Sequence, residues 1–171
     1  MIGKLRVNGR RWLEISSACI LFLFGVPTYS AEQRCYTEKE LEAEVGFGFL
    51  TGQGAAAFLC DRDFPELQLF GRHQQIMKKF EPKFASFMIV LAGQFGRTWP
   101  ETWKGRYDQY VEERAKQVAG ILAGQITKEY CIAFGEALVE RSRSGWASIQ
   151  RQLDANVATT RSHVQICSAS R

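Results

Sequence analysis

The sequence lacks the short motifs that identify common catalytic and metal sites. It contains no GxSxG nucleophile motif, no CxxC pair, no CxxCH haem-attachment motif, and only two histidines, His73 and His163. Nucleophilic catalysis needs a serine or cysteine beside a base, and zinc sites usually have closely spaced ligands. We therefore expect no metal and no cofactor. The weaker alternative is haem held by a histidine and either Met77 or Met88.

Paired carboxylates are the one catalytic arrangement that a sequence cannot reveal, because distant residues can converge in the fold. Glu112 and Glu113, like Glu38 and Glu40, are interpreted here as solvated helix faces rather than acid–base pairs. The sequence therefore favours a protein that is not an enzyme. A hydrolase of an envelope polymer is the less favoured alternative.

The chain also has no apolar run of the roughly 20 residues that a membrane-spanning helix needs. Its first 30 residues instead combine a basic start, an apolar run centred on residues 20–26, Pro27, and small residues up to Ser30. This order is typical of a secretory signal peptide. We predict cleavage after Ser30, a single domain at residues 31–171, a periplasmic or secreted location, and no stable membrane span after cleavage.

A large excess of positive charge is missing once the predicted signal peptide is set aside. Four of the 22 basic residues and one of the 18 acidic residues lie in residues 1–30, so the rest of the chain carries a net charge of only +1. A basic surface is the usual sign of nucleic-acid binding. We therefore expect no nucleic-acid partner, whereas a protein partner stays open.

Four cysteines follow the predicted signal peptide, namely Cys35, Cys60, Cys131 and Cys167. An even number in an oxidising compartment predicts two disulfides, for which three pairings exist. In an up-and-down helical bundle, Cys35 and Cys167 fall at one end and the other two at the opposite end. The geometry therefore favours Cys35–Cys167 and Cys60–Cys131.

The remaining pattern predicts an all-α, disulfide-stapled bundle of about four main helices. Apolar residues recur at three- and four-residue steps, and Thr37 with Glu40 forms a capping box. The predicted helices cover residues 37–59, 65–95 with a break at Pro82, 100 to about 141 with a bend, and 146–166. A turn is expected at residues 142–145. Alternation typical of strands is absent apart from residues 46–49.

Two further groups of residues are candidates for packing and binding. Small residues at helical spacing, at Gly48 and Gly52 and again at Gly120 and Gly124, predict two faces where helices approach closely. The second group is a candidate interface at a predicted helix start. It comprises Arg97, Trp99, Trp103 and Lys104.

Taken together, these patterns favour an exported, non-enzymatic interaction or structural protein. Ten phenylalanines and many glycines beyond residue 30 also permit an apolar cavity between helices. A carrier of a small apolar ligand in the bundle core is therefore the alternative.

Overall fold

The structure is a computed structural model that describes residues 35–167. The predicted signal peptide at residues 1–30 lies outside the described residues. Within those that are described, the chain is all-α, with six α-helices joined by short turns. They are α1 (Glu38–Asp63), α2 (Leu69–Lys79), α3 (Glu81–Thr98), α4 (Trp103–Ala123), α5 (Lys128–Ser144) and α6 (Trp146–Arg161), with a 3₁₀ turn at Pro65–Leu67 between α1 and α2.

The expectation of about four main helices is therefore corrected to six. The predicted helix at residues 65–95 divides at Phe80, where α2 ends and α3 begins with Pro82 in its first turn. Proline lacks the N–H that the preceding turn would need, so the break lies where the sequence predicted it. The helix predicted from residue 100 to about 141 divides into α4 and α5, and the Thr127 hydroxyl caps α5 by accepting from the Tyr130 N–H (3.1 Å).

Two helix starts also differ from the sequence expectation. The helix predicted from residue 100 begins at Trp103, and the Thr98 hydroxyl donates to the Gln94 carbonyl (2.9 Å) at the end of α3. The start of α2 is capped from a distance, because the carboxylate of Asp61 accepts the backbone N–H groups of Leu69 (2.5 Å) and Phe70 (2.9 Å). These bonds satisfy donors that the first turn of a helix leaves open.

Helix α1 is the central element and packs against each of the other five helices. Its residues include apolar side chains on several faces, which is the pattern expected of a buried helix. A ring cluster joins α3 to α6, where Trp146 packs edge-on against Phe84 at 5.4 Å between ring centroids. The largest fully buried side chains are Leu41, Leu69, Leu91, Leu138, Ile149, Leu153, Cys60 and Cys131.

The described residues contain two disulfides, in the pairing that the sequence favoured. Cys35 is bonded to Cys167, with Cα atoms 4.6 Å apart, and Cys60 is bonded to Cys131, with Cα atoms 5.6 Å apart. Next to the first disulfide, the Tyr36 N–H donates to the Gln165 carbonyl at 2.9 Å. The two ends of the described chain are thus joined by a disulfide and by backbone hydrogen bonds at one end of the bundle.

The predicted close packing at Gly120 and Gly124 is wrong. Both glycines are exposed, and a Cβ atom at either would meet nothing within 4 Å. The buried side of α4 carries Val118 and Leu122, and a residue two positions further along a helix lies about 200° around its axis. Gly48 is buried within α1 and Gly52 is partly buried, and on the same helix a Cβ atom at Gly46 would clash with the ring of Phe87.

Candidate functional site

A groove with a volume of about 860 Å³ lies between the start of α1 and the second half of α3. It is open to solvent along one side, and we call it the α1–α3 groove. Its lining residues are Cys35, Thr37, Glu38, Lys39, Glu40, Ile89, Val90, Gly93, Gln94, Arg97, Thr98 and Cys167. The groove therefore lies at the end of the bundle that the Cys35–Cys167 disulfide closes.

The wall formed by α1 is fixed by its capping box. The Thr37 N–H donates to Glu40 Oε2 (2.8 Å), and the Glu40 N–H donates to Thr37 Oγ1 (3.3 Å). The second carboxylate oxygen of Glu40 forms an ion pair with Arg97 from α3. One buried carboxylate thus caps α1 and connects the two walls of the groove.

The wall formed by α3 carries an apolar side chain that is unusually exposed to solvent. Ile89 is 70% exposed, which is the largest exposure among the big apolar side chains of the described residues. The buried stripe of the same helix is formed by Phe84, Phe87 and Leu91, so Ile89 faces away from the core. Gly93, one turn later on the side of Ile89, is also exposed. The rim therefore combines one protruding apolar side chain with a flat surface beside it.

The charges around the groove are mostly paired. Glu38 forms an ion pair with Arg161 of α6, and Glu40 forms the pair with Arg97. Lys39 adds an exposed cation to the lining. Because both carboxylates are engaged by arginines, the groove presents an apolar rim with compensated charge rather than a strongly charged surface.

The four candidate interface residues are not brought together on this groove. Arg97 lines it, whereas Trp99 is half-buried, with its ring 5.3 Å from that of Phe95 and beneath the guanidinium of Arg106 (4.6 Å). Lys104 Nζ lies 5.7 Å from the ring of Trp103 in the first turn of α4. Trp99 therefore packs at the α3–α4 corner, and Arg97 is the one candidate that the structure places in the groove.

A second polar arrangement lies deeper, between α1 and α4. The Tyr110 hydroxyl donates to Glu44 Oε1 (2.6 Å), and Arg114 Nη2 lies 3.8 Å from the same oxygen. Burial raises the pKa of Glu44, while the Tyr110 hydrogen bond and the Arg114 charge lower it in part. The pKa of Tyr110 is raised by its burial and by the adjacent Glu44. This carboxylate has no place in the groove lining.

A smaller cleft of about 420 Å³ lies between the 3₁₀ turn, the start of α2 and α5. Its charged residues include Glu66, Arg72 and Glu140, and Cys131 and Gly135 form part of its lining. Residues 35–167 contain no group of three or more histidine, cysteine, aspartate or glutamate side chains placed to hold a metal ion. The α1–α3 groove is therefore the better candidate for binding, on size and on its exposed apolar rim.

Sequence reasoning missed Ile89, although a signal was present. The run from Phe84 to Leu91 is mostly apolar, and assigning the buried stripe to Phe84, Phe87 and Leu91 leaves Ile89 on the opposite face. None of the helices in the described part of the chain has the length and apolar character that crossing a membrane requires. No protein-family model matches the chain, and neither a curated protein nor a solved structure does.

Proposed function

We propose that this chain is a non-enzymatic interaction protein of the periplasm or secreted space that binds a protein partner in the α1–α3 groove. The observation that carries the proposal is the 70% exposure of Ile89 at the rim of the α1–α3 groove. A large apolar side chain in water beside a concave surface is a common feature of docking sites, where apolar anchors supply most of the binding energy.

The two disulfides and the predicted signal peptide support the proposed location. Disulfides of this kind form and persist in oxidising compartments such as the periplasm and the extracellular space. Cys35–Cys167 also ties both ends of the described chain at the base of the groove. Because the disulfide already restricts this end of the chain, less conformational entropy is lost when a partner binds, which favours a preformed docking site.

The partner is expected to present an apolar side chain to the groove. The lining charges at Glu38 and Glu40 are already paired with arginines, so a strongly charged segment would find few free counter-charges. A short amphipathic helix or strand, with its apolar face on Ile89 and Val90, fits this surface. Polar residues of the partner would then meet Lys39 and Gln94 at the edges.

The test is site-specific photo-crosslinking in the host, with a photoreactive amino acid in place of Ile89. The matched control carries the same amino acid in place of Phe58, which is 57% exposed but outside the groove. We expect one protein to be captured from position 89 and not from position 58. The purified partner should then bind the native protein, and Ile89→Asp should weaken binding about tenfold or more, since a desolvated charge costs more than 1.4 kcal/mol. Equal capture at both positions would contradict the proposal.

A carrier of a small apolar ligand is the second candidate. The groove volume of about 860 Å³ lies within the roughly 300–1,000 Å³ of small-molecule sites. Unlike the core cavity that the sequence suggested, this space opens at the surface. Native mass spectrometry of protein purified from its host decides the point. A bound species of lipid-like mass supports a carrier, and a mass equal to that of the disulfide-bonded chain alone opposes it.

A further inference from the structure

Three buried nitrogen atoms around residues 49–54 of α1 have no hydrogen-bond partner among the described residues. They are Gln53 Nε2 on α1, His73 Nε2 on α2 and Arg141 Nη1 on α5. Gln53 is 9% exposed and His73 is 6% exposed. A buried N–H without an acceptor is costly, so such groups normally have a partner.

The helix packing places these side chains around the same part of α1. A Cβ atom at Gly54, the residue after Gln53, would lie 3.6 Å from His73 Cε1. Arg141 Cζ lies 5.6 Å from the ring of Phe49, which is one helical turn before Gln53. The arginine also lies close enough to His73 for its charge to lower the pKa of the imidazole, in addition to the effect of burial.

The arrangement carries a positive charge that no carboxylate balances. Arg141 forms no salt bridge with any residue of 35–167, and its Nη2 donates to the neutral Gln152 Oε1 (3.1 Å). Burial lowers the pKa of Arg141 to about 10, with Tyr130 opposing that shift, so the guanidinium stays charged at neutral pH. Burial and the Arg141 charge both lower the pKa of His73, which favours a neutral imidazole.

We propose that Gln53, His73 and Arg141 form an internal site for a small monovalent anion. An anion accepts hydrogen bonds from all three nitrogens, with His73 as the Nε2–H tautomer, and also compensates the guanidinium charge. A water molecule would satisfy the donors but leave the charge unbalanced. Neither the α1–α3 groove nor the second cleft is lined by these residues, so the proposed site is separate from both, and chloride and formate are the small anions chosen to test it.

The anion would join three helices that are otherwise connected by apolar contacts, by the Asp61 cap of α2 and by the Cys60–Cys131 disulfide. Gln53 belongs to α1, His73 to α2 and Arg141 to α5, so one ion contacts all three. Binding only to the folded state raises the unfolding temperature in a saturable way. The site is independent of the α1–α3 groove, so either proposal can fail without the other.

The first experiment measures thermal unfolding of the native protein in sodium gluconate, in which chloride or formate replaces gluconate at constant ionic strength. We expect a saturable rise of roughly 3–6 °C with at least one of the two anions, the size that occupancy well above the dissociation constant gives for a domain of this length. Chloride alone identifies a halide site, and formate alone identifies a carboxylate site. No rise with either anion overturns the proposal.

The variant arm compares Arg141→Gln with Arg143→Gln, which alters an exposed arginine two residues along the same helix. Arg141→Gln should lose the anion-dependent rise, and Arg143→Gln should keep it. A rise that persists in Arg141→Gln overturns the proposal. If Arg141→Gln does not fold, crystals of the native protein grown in sodium bromide decide. An anomalous bromide peak among the three nitrogens supports the site, and density for water alone there overturns it.

Discussion

The ring of Phe87 occupies the space that a side chain at Gly46 would need. A Cβ atom at Gly46 would lie 2.5 Å from Cδ2 and from Cε2 of Phe87, which is closer than such atoms pack. Phe87 in turn lies 6.5 Å from Trp146 between ring centroids. Phe87 thus packs against Trp146 as well as against Gly46, so its ring has little room to move aside. The α1–α3 contact therefore depends on the absence of a side chain at position 46.

The first prediction is that Gly46→Ala destabilises the protein. Overpacking a core costs about 1–3 kcal/mol, and the gain in helix propensity from replacing glycine offsets about 1 kcal/mol of that, so we expect a net loss of up to about 2 kcal/mol. Gly120→Ala is the matched control, because a Cβ there meets nothing within 4 Å, and it should be neutral or stabilising. Urea unfolding measures both changes. Equal shifts in the two variants would show that the Phe87 contact is not tight.

The sequence indicated features that depend on neighbouring residues. The capping box of Thr37 and Glu40, the break at Pro82 and the turn before Trp146 are each encoded within a few positions. The disulfide pairing followed from helix direction alone, since an up-and-down bundle places Cys35 near Cys167.

Features that depend on long-range packing were not predictable from the sequence. Gly46 and Phe87 lie in different helices, and small residues at helical spacing do not reveal which of them faces a ring. The same limit explains the error at Gly120, whose spacing suits packing but whose face of α4 points to solvent. The groove could not be predicted from the sequence because its walls, near Glu40 and Ile89, come from separate helices.

The second prediction concerns the cap that Asp61 supplies to α2. Asp61→Ala should destabilise the protein by about 1–2 kcal/mol, because two backbone donors lose their acceptor and the helix dipole loses an anion at its positive end. Asp61→Asn should be destabilised by roughly half as much as Asp61→Ala, since the amide side chain keeps one oxygen that can accept a backbone N–H. Chemical denaturation provides the measurement. Asp63→Ala, which removes an exposed partner of Arg62, is the control and should change stability by less than about 0.5 kcal/mol.

The third prediction is a pH dependence that originates at Glu44. Burial raises the pKa of Glu44, so the folded state binds its proton more tightly than the unfolded chain. The resulting stability is present below the unfolded pKa and is lost as the pH rises through the folded pKa. Glu44→Gln stays neutral and keeps an acceptor for Tyr110, so it should gain stability relative to the native protein as the pH rises above the ordinary glutamate pKa of 4.5.

The size of this effect is limited by the separation of the two pKa values. Each pH unit between them contributes at most about 1.4 kcal/mol. Urea titrations at several pH values, with Glu101→Gln as the exposed control, measure the difference. A stability difference between Glu44→Gln and the native protein that does not vary with pH would mean that Arg114 and Tyr110 fully compensate the burial of the carboxylate.

The fourth prediction is that mild reduction opens Cys35–Cys167 before Cys60–Cys131. Cys60 and Cys131 are fully buried, whereas Cys35 and Cys167 are partly exposed, and a reducing thiolate must reach a sulfur atom to react. Limited reduction under native conditions, followed by alkylation and peptide mapping, should find label first at residues 35 and 167. Simultaneous labelling of all four cysteines would mean that reduction requires global unfolding.

Opening Cys35–Cys167 should also weaken the groove. This bond closes a loop of 132 residues, and its removal costs about 5 kcal/mol in the chain-entropy model. The paired variant Cys35→Ser with Cys167→Ser should therefore unfold at lower urea and, where still folded, bind a groove partner less tightly, because its α1 wall loses its tether. Binding that is unchanged in a folded, unbridged variant would show that the Glu40–Arg97 ion pair alone holds the two walls together.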